Sequence, residues 1–441
     1  MRKRIVIMGA AGKDFHVFNT KYRNNEFYEV VGFTATQIPH IGGRTYPPEL
    51  SGPLYPDGIP VYEEKDLSDL IKRLRVDKVV FGYSDVSYEY IRKKESMVRE
   101  AGADFILPGT YTTMIPSKKP LIAVCAVRTG CGKSQTTRRI LEIIKDRGKK
   151  GVVIRHPMPY GELVKQNVQR FATLQDLHTQ NCTIEEMEEY EPHIERGNVV
   201  FAGVDYEQIV RAAEAEADVI VWDGGNNDTP FYKPDLHVTV LDPHRAGHEL
   251  LYHPGKINFI LADVLVLNKL DSADEDAVNV VLKNIGEYNP KARLVRARSP
   301  ITVHEPDMIW GQRVLVVEDG PTLTHGDMKY GAGILAAKKY GAREIVDPRP
   351  FLVGSLANTF KKYPGIGSLL PAMGYGKEQI LDLEATINGT ECDTVIVATP
   401  INLRRILHIN KPSLRVTYDL EEIGSPDFDE ILDAFIARFG I

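Results

Sequence analysis

Short apolar runs alternate with amphipathic stretches along the whole chain. Ile5-Val6-Ile7-Met8 leads into Gly9-Ala10-Ala11-Gly12-Lys13, and the pattern then predicts a helix to about Asn24 and a second strand around 28–35. That is a β-α-β opening. Further apolar runs at 78–81 and 104–107 flank a predicted helix over 87–101, so residues 1–117 read as a small parallel α/β domain. Within it, 38–60 is rich in Gly and Pro, a long irregular loop of the kind that faces a ligand or a partner. Pro116-Ser117-Lys118-Lys119-Pro120 marks the first boundary.

Over 118–300 the pattern predicts strands near 121–127, 151–155, 198–202, 218–222, 236–241, 262–267 and 293–297. Helices after Lys133 and at 205–217 and 273–287 fit between them, the alternation of a doubly wound sheet. Residues 301–441 alternate as well, with strands at 314–317, 344–346 and 394–398 and helices at 332–340 and 427–439. The expected fold is α/β: an N-terminal Rossmann-like parallel-sheet domain (1–117), a doubly wound domain (118–300) and an α/β C-terminal region (301–441).

Composition narrows the class without naming a chemistry. The 441 residues are 43% hydrophobic and 26% charged, as in an ordinary globular protein. A net charge of −6 argues against a general nucleic-acid binder. The four cysteines, Cys125, Cys131, Cys182 and Cys392, have neither metal-site spacing nor disulfide-framework density, so a reducing cytoplasm is expected. No apolar run approaches the roughly 18 residues that a membrane span needs, so no membrane role is expected.

The chemistry concentrates where the strand 121–127 opens into Arg128-Thr129-Gly130-Cys131-Gly132-Lys133-Ser134-Gln135. Glycines 130 and 132 let backbone N–H groups approach phosphate oxygens. Lys133 offers a cation to the β- and γ-phosphates, and Ser134 offers a hydroxyl to Mg²⁺. Val127 stands where the strict G-x-x-x-x-G-K-[ST] pattern has a glycine, so the loop fits better the variant with a basic residue five positions before the lysine, here Arg128. Val219-Ile220-Val221-Trp222-Asp223 ends in a carboxylate suited to the metal, with Asp228 as second choice and a helix cap as the plain alternative. Asn268-Lys269-Leu270-Asp271 follows another apolar strand and has the N-K-x-D spacing of guanine-binding loops. It leaves ATP and GTP both open as co-substrate, and a surface turn is the alternative.

These ordered motifs resemble the P-loop class that includes dethiobiotin synthetase, ParA-type ATPases and metallochaperone GTPases, which implies that the doubly wound domain 118–300 is a P-loop NTPase domain. The elements Val316–Gly333, Ile345–Pro350 and Cys392–Pro400 extend the likeness over nearly the whole chain to cyclic 2,3-diphosphoglycerate synthetase and its predicted-GTPase relatives. That resemblance implies an Mg²⁺-dependent synthetase that closes a small anionic phosphorylated acid into an intramolecular phosphoanhydride, releasing nucleoside diphosphate and phosphate. Lys133, Arg128 and Arg245 would then offset the repulsion between two anions, with Asp223 on the metal. The ten residues 244–253, between two strands, gather Arg245 and three histidines, and His244, Arg245 and His248 there, with His325, are candidates for the substrate end. They could equally be solvated loop residues. A regulatory or chaperone-type GTPase is the competing class, and a homodimer is expected by analogy with the class.

The Gly9–Gly12 turn lacks the third glycine of a dinucleotide fingerprint. Gly9, Gly12 and Lys13 could hold a small anion or substrate at a helix N-terminus, or form a structural turn.

Overall fold

The structure, a computed structural model, describes residues 2–35, 43–155, 161–225, 227–320, 323, 329–372 and 377–441. The first unit holds β1 (Lys3–Met8), β2 (Tyr28–Ala35), β3 (Thr45–Tyr46), β4 (Ile59–Glu63), β5 (Lys78–Phe81), β6 (Val86–Ser87) and β7 (Asp104–Ile106). Its sheet runs β3-β4-β2-β1-β5-β7, parallel except for the β3–β4 pair. Both faces are covered, which explains the unbroken apolar run of β1. Ile5 and Ile7 pack with Phe15, Phe18 and Phe33, while Val6 and Met8 pack with Leu67, Val79 and Phe81.

The central unit contains β8 (Leu121–Ala126), β9 (Gly151–Arg155), β10 (Val168–Phe171), β11 (Val199–Gly203), β12 (Val219–Asp223), β13 (Leu236–Leu241), β14 (Tyr252–His253), β15 (Val264–Leu267) and β16 (Arg293–Arg298). Its sheet order is β10-β11-β9-β12-β8-β13-β15-β16, parallel from β11 to β16 with β10 antiparallel at one edge. Every residue of β8 is buried, so this strand is the spine of the sheet.

The third unit holds β17 (Ile301–Val303), β18 (Arg313–Asp319), β19 (Glu344–Ile345), β20 (Leu370–Ala372), β21 (Thr394–Ala398) and β22 (Ser413–Tyr418), in the order β17-β22-β21-β18-β19 with β20 also on β18. The region read as 301–441 does not close on itself. β23 (Glu421–Glu422) adds antiparallel to β16, and the helix Phe428–Phe439 lies along the helix Lys133–Asp146. Arg139 bridges Glu422 at 3.1 Å and Asp429 at 2.8 Å. The chain end thus ties the third unit to the central one.

The first unit is docked just as firmly. β6 pairs antiparallel with β14, and His16 stacks on Phe231 with ring centroids 4.2 Å apart. His16 Nε2 lies 2.7 Å from the Thr113 carbonyl, which places a proton on Nε2 as donor, and burial lowers its pKa to about 3. An unfolded-chain histidine titrates near 6.5. Between these values the unfolded state binds the extra proton, so stability present above pH 6.5 is lost as pH falls toward 3. Relative to a His16→Phe variant, the wild type is expected to lose about 2 kcal/mol between pH 7 and pH 5. Denaturant titrations at the two pH values read this; a constant gap would contradict a neutral, buried His16.

Candidate active site

The glycine loop is shaped by positions that only glycine occupies easily. Gly130 and Gly132 have φ of 81° and 110°, and a Cβ on Gly132 would sit 2.2 Å from Asn268 Nδ2 and 2.4 Å from Gln135 Nε2. The helix Lys133–Asp146 starts directly after it, and no side chain caps that start. Its first N–H groups and dipole therefore suit phosphate. Thr129, Gly130, Gly132, Lys133, Ser134 and Gln135 all line a cleft of about 220 Å³. Cys131, between them, is fully buried below the loop.

Beneath the cleft lies a compact ion cluster. β8, β12 and β9 are adjacent parallel strands, so their carboxyl ends bring the glycine loop, Asp223 and Arg155 together. Lys133 Nζ lies 2.5 Å from Asp223 Oδ1, Arg155 pairs with the other carboxylate oxygen, and His193 Nε2 is 3.4 Å from it. Burial alone would raise the Asp223 carboxyl, but Arg155 and Lys133 hold it well below the usual range. Burial, aided by Arg155, lowers the Lys133 ammonium to about 8 against the pull of Asp223. Burial likewise lowers His193 to about 4.

Asn268 and Lys269 serve as struts of the loop. Asn268 Nδ2 donates to the Cys131 carbonyl at 2.9 Å, and Lys269 Nζ donates to the Gly130 carbonyl at 2.7 Å and to Asp242 at 2.9 Å. Asp271 is exposed, with Oδ1 accepting the Ser299 N–H at 3.0 Å. Lys269, Ser272 and Ser299 line the cleft at this end.

Several expected ligands stand elsewhere. Arg128 is 1% exposed, and its Nε donates to Asp85 at 2.6 Å while its guanidinium lies 3.7 Å over the Tyr252 ring and 2.7 Å from His248 Nδ1. It fastens the first unit to the loop and does not line the cleft. Asp85 also accepts from the Thr129 N–H and hydroxyl at 3.0 and 2.7 Å, so a residue of the first unit shapes the phosphate loop. Arg245 is likewise buried, bonded to Asp242 at 2.9 Å and to Cys131 Sγ at 3.4 Å. The expected basic substrate loop is thus spent on internal ion pairs, and of its members only His244 lines the cleft, 2.9 Å from Ser272 Oγ. His325 lies outside the described residues.

The Gly9–Gly12 turn supplies no anion site, because Asp14 already occupies it. Asp14 Oδ1 accepts from the N–H groups of Ala11, Gly12 and Phe15 at 2.8, 2.9 and 2.7 Å, and a Cβ on Gly9 would meet Asp14 Oδ2 at 2.3 Å. Lys13 is buried and donates to Thr229 Oγ1 at 3.0 Å. Asp228 is buried against Ser84, and burial raises it to about 7, so it belongs to the same inter-unit seam.

The acidic lining of the cleft was not anticipated. The helix Ile184–Ile194, opened by a Thr183–Glu186 capping box, turns Glu185, Glu188, Glu189, Pro192 and His193 into the cleft, the i, i+3, i+4 face of one helix. Glu189 pairs with Arg155. From the third unit come Glu318 and Asp319, at the end of β18, with Tyr330, Gly331 and Ala332. Glu318 Oε1 accepts the N–H groups of Gly331 and Ile334, both at 3.0 Å, and burial pushes its carboxyl up to about 7. The cleft is therefore lined both by the glycine loop and by a group of acidic side chains.

No protein-family model matches the chain. Among solved structures, LpxK from Aquifex aeolicus in complex with ATP covers 84% of this chain and 99% of its own at 10% identity and a TM-score of 0.45. Cobyrinic acid a,c-diamide synthase from Mycobacterium smegmatis with bound ADP and magnesium covers 50% of this chain and 82% of its own, at 12% identity and a TM-score of 0.19. Among curated proteins, the arginine synthetase ArcE of Thermococcus kodakarensis is 60% identical over 432 residues, 98% of this chain and 96% of the relative. At that identity and coverage, the chain belongs to the family of the arginine synthetase ArcE.

Proposed function

We propose that this protein is a nucleoside-triphosphate-dependent synthetase that forms the guanidinium group of arginine. One observation carries the reading: a glycine loop suited to phosphate and a set of acidic side chains line one cleft, in a chain of the arginine synthetase family. The cradle suits the triphosphate, and the acidic wall suits a cationic product better than the doubly phosphorylated acid that the motifs suggested.

The chemistry follows from the product. The bond to be made is C–N at a carbon that ends as guanidinium, so the precursor is its ureido counterpart, citrulline. The ureido oxygen attacks the γ-phosphorus, the P–O bond to the β-phosphate breaks, and nucleoside diphosphate leaves. Ammonia then attacks the activated carbon, the C–O bond breaks and phosphate departs. Lys133 and the helix N-terminus stabilise charge on the transferring phosphoryl group. Asn268 and Lys269 hold the loop rigid while they do so.

Mg²⁺ finds one side-chain donor of the expected pair in the cleft, the Ser134 hydroxyl, which would hold it together with the nucleotide's phosphates and waters. Bound there, it would neutralise part of the β/γ charge. Asp223, expected on the metal, is fully buried with its oxygens on Lys133, Arg155 and His193 and does not line the cleft.

The test is product formation by the purified protein given citrulline, ammonium, Mg²⁺ and either ATP or GTP. Arginine, nucleoside diphosphate and phosphate are expected in equal amounts. Absence of arginine, with phosphate release stimulated by 2,3-bisphosphoglycerate instead, would overturn the reading. Phosphate release indifferent to either acid would favour a regulatory GTPase.

A further inference from the structure

Within the acidic wall one residue stands apart. Glu189 has Arg155, and Glu318 accepts two backbone N–H groups. Glu188 lines the cleft at 7% exposure, and neither of its carboxyl oxygens meets a hydrogen-bond donor; what faces it is the carboxyl of Asp319. A buried carboxylate without a donor is costly, so such an arrangement calls for a partner supplied from outside the chain. A second group in the same cleft is in the same condition: His193, 1% exposed, has Nδ1 without a partner.

We propose that Glu188 and Asp319 together form the subsite that holds the guanidinium end of arginine, and the developing cation as ammonia adds. This rests on the synthetase reading above and names its amino-acid subsite. The two carboxylates come from different units, the helix Ile184–Ile194 of the central unit and β18 of the third. A planar guanidinium carries five N–H donors and can bridge two carboxylates that otherwise repel. Burial, then Asp319 and then Glu185, drive the Glu188 carboxyl well above its usual range, and a cation bound between the two carboxyls would favour their charged forms.

Glu188, Lys133 and the glycine loop all line one cleft, so a substrate seated at the acid pair shares it with the phosphate cradle. A neutral ureido group gains little from a carboxylate pair, whereas a guanidinium gains a charge-assisted bridge.

That difference in charge gives the test. Full-length wild type, Glu188→Gln and Asp319→Asn are compared for L-arginine binding by calorimetry, for citrulline KM, for nucleoside diphosphate affinity and for thermal unfolding. In Glu188→Gln, arginine affinity is expected to fall at least 20-fold, with citrulline KM and nucleotide affinity within about threefold of wild type; Asp319→Asn is expected to follow the same order. A merely structural role would weaken arginine, citrulline and nucleotide together and lower the unfolding temperature, which would overturn the subsite. So would arginine affinity within twofold of wild type in both variants. If wild type itself makes no arginine, the synthetase reading has failed; if it makes arginine while the variants keep their arginine affinity, only the subsite has.

Discussion

Lys133→Met is expected to lower kcat on the order of 10³-fold, about 4 kcal/mol of transition-state stabilisation. The ammonium is the first side chain of an uncapped helix, 11% exposed and 2.5 Å from Asp223. In this shielded site its attraction for a triphosphate is far stronger than a surface lysine's. Methionine keeps the stem and removes only the charge, so nucleotide affinity should weaken by about tenfold, less than the rate, because the lysine acts most on charge developing during transfer. Because the Lys133 ammonium is lowered to about 8, first by burial and then by Arg155, kcat/KM for the nucleotide is expected to fall as pH rises through 8. A Lys133→Met enzyme retaining a tenth of wild-type kcat would contradict this role.

Asp223→Asn is expected to cost about 3–5 kcal/mol of folding stability. Asp223 is fully buried and is the carboxylate shared by Lys133, Arg155 and His193. Its loss leaves two cations facing each other without solvent. The double variant Lys133→Met/Asp223→Asn should recover part of that loss, because one of the stranded charges goes with the lysine. Denaturant midpoints of the single and double variants measure this. A loss below about 1 kcal/mol in Asp223→Asn would mean that the cluster is not the buried ion network described.

What was legible in the sequence was what local geometry dictates. The glycine loop could be read because Gly130 and Gly132 must take positive φ before a helix whose first residue is Lys133. Asp223 could be read because an apolar parallel strand ending in a carboxylate places it at the carboxyl edge of the sheet, where ligands bind. Asn268 and Lys269 were found as a motif, but their bracing of the Cys131 and Gly130 carbonyls depends on which side of the strand end each points.

Arg128 and Arg245 were assigned to phosphate and substrate because they are cations beside motifs. The partner of Arg128, Asp85, is fixed by tertiary packing, 43 residues away in another unit, whereas that of Arg245, Asp242, lies three residues back in the same turn. The acidic wall was hidden for the converse reason. Glu185, Glu188 and Glu189 follow a capping threonine and look in sequence like the solvated face of an ordinary helix. They become a cleft wall only because the end of β18 and the chain around Gly331 close opposite them. Nothing in the local pattern records that burial. The same holds for Gly9–Gly12, where Asp14 fills the helix N-terminus, an intramolecular cap in place of a bound anion.

In the proposed synthesis the γ-phosphoryl group passes to the ureido oxygen within this cleft. Citrulline carrying ¹⁸O in the ureido group, incubated with the enzyme, ammonium, Mg²⁺ and nucleoside triphosphate, tests it directly. One ¹⁸O per arginine formed is expected in the inorganic phosphate released. Arginine accompanied by unlabelled phosphate, or by label in a nucleoside monophosphate, would contradict it.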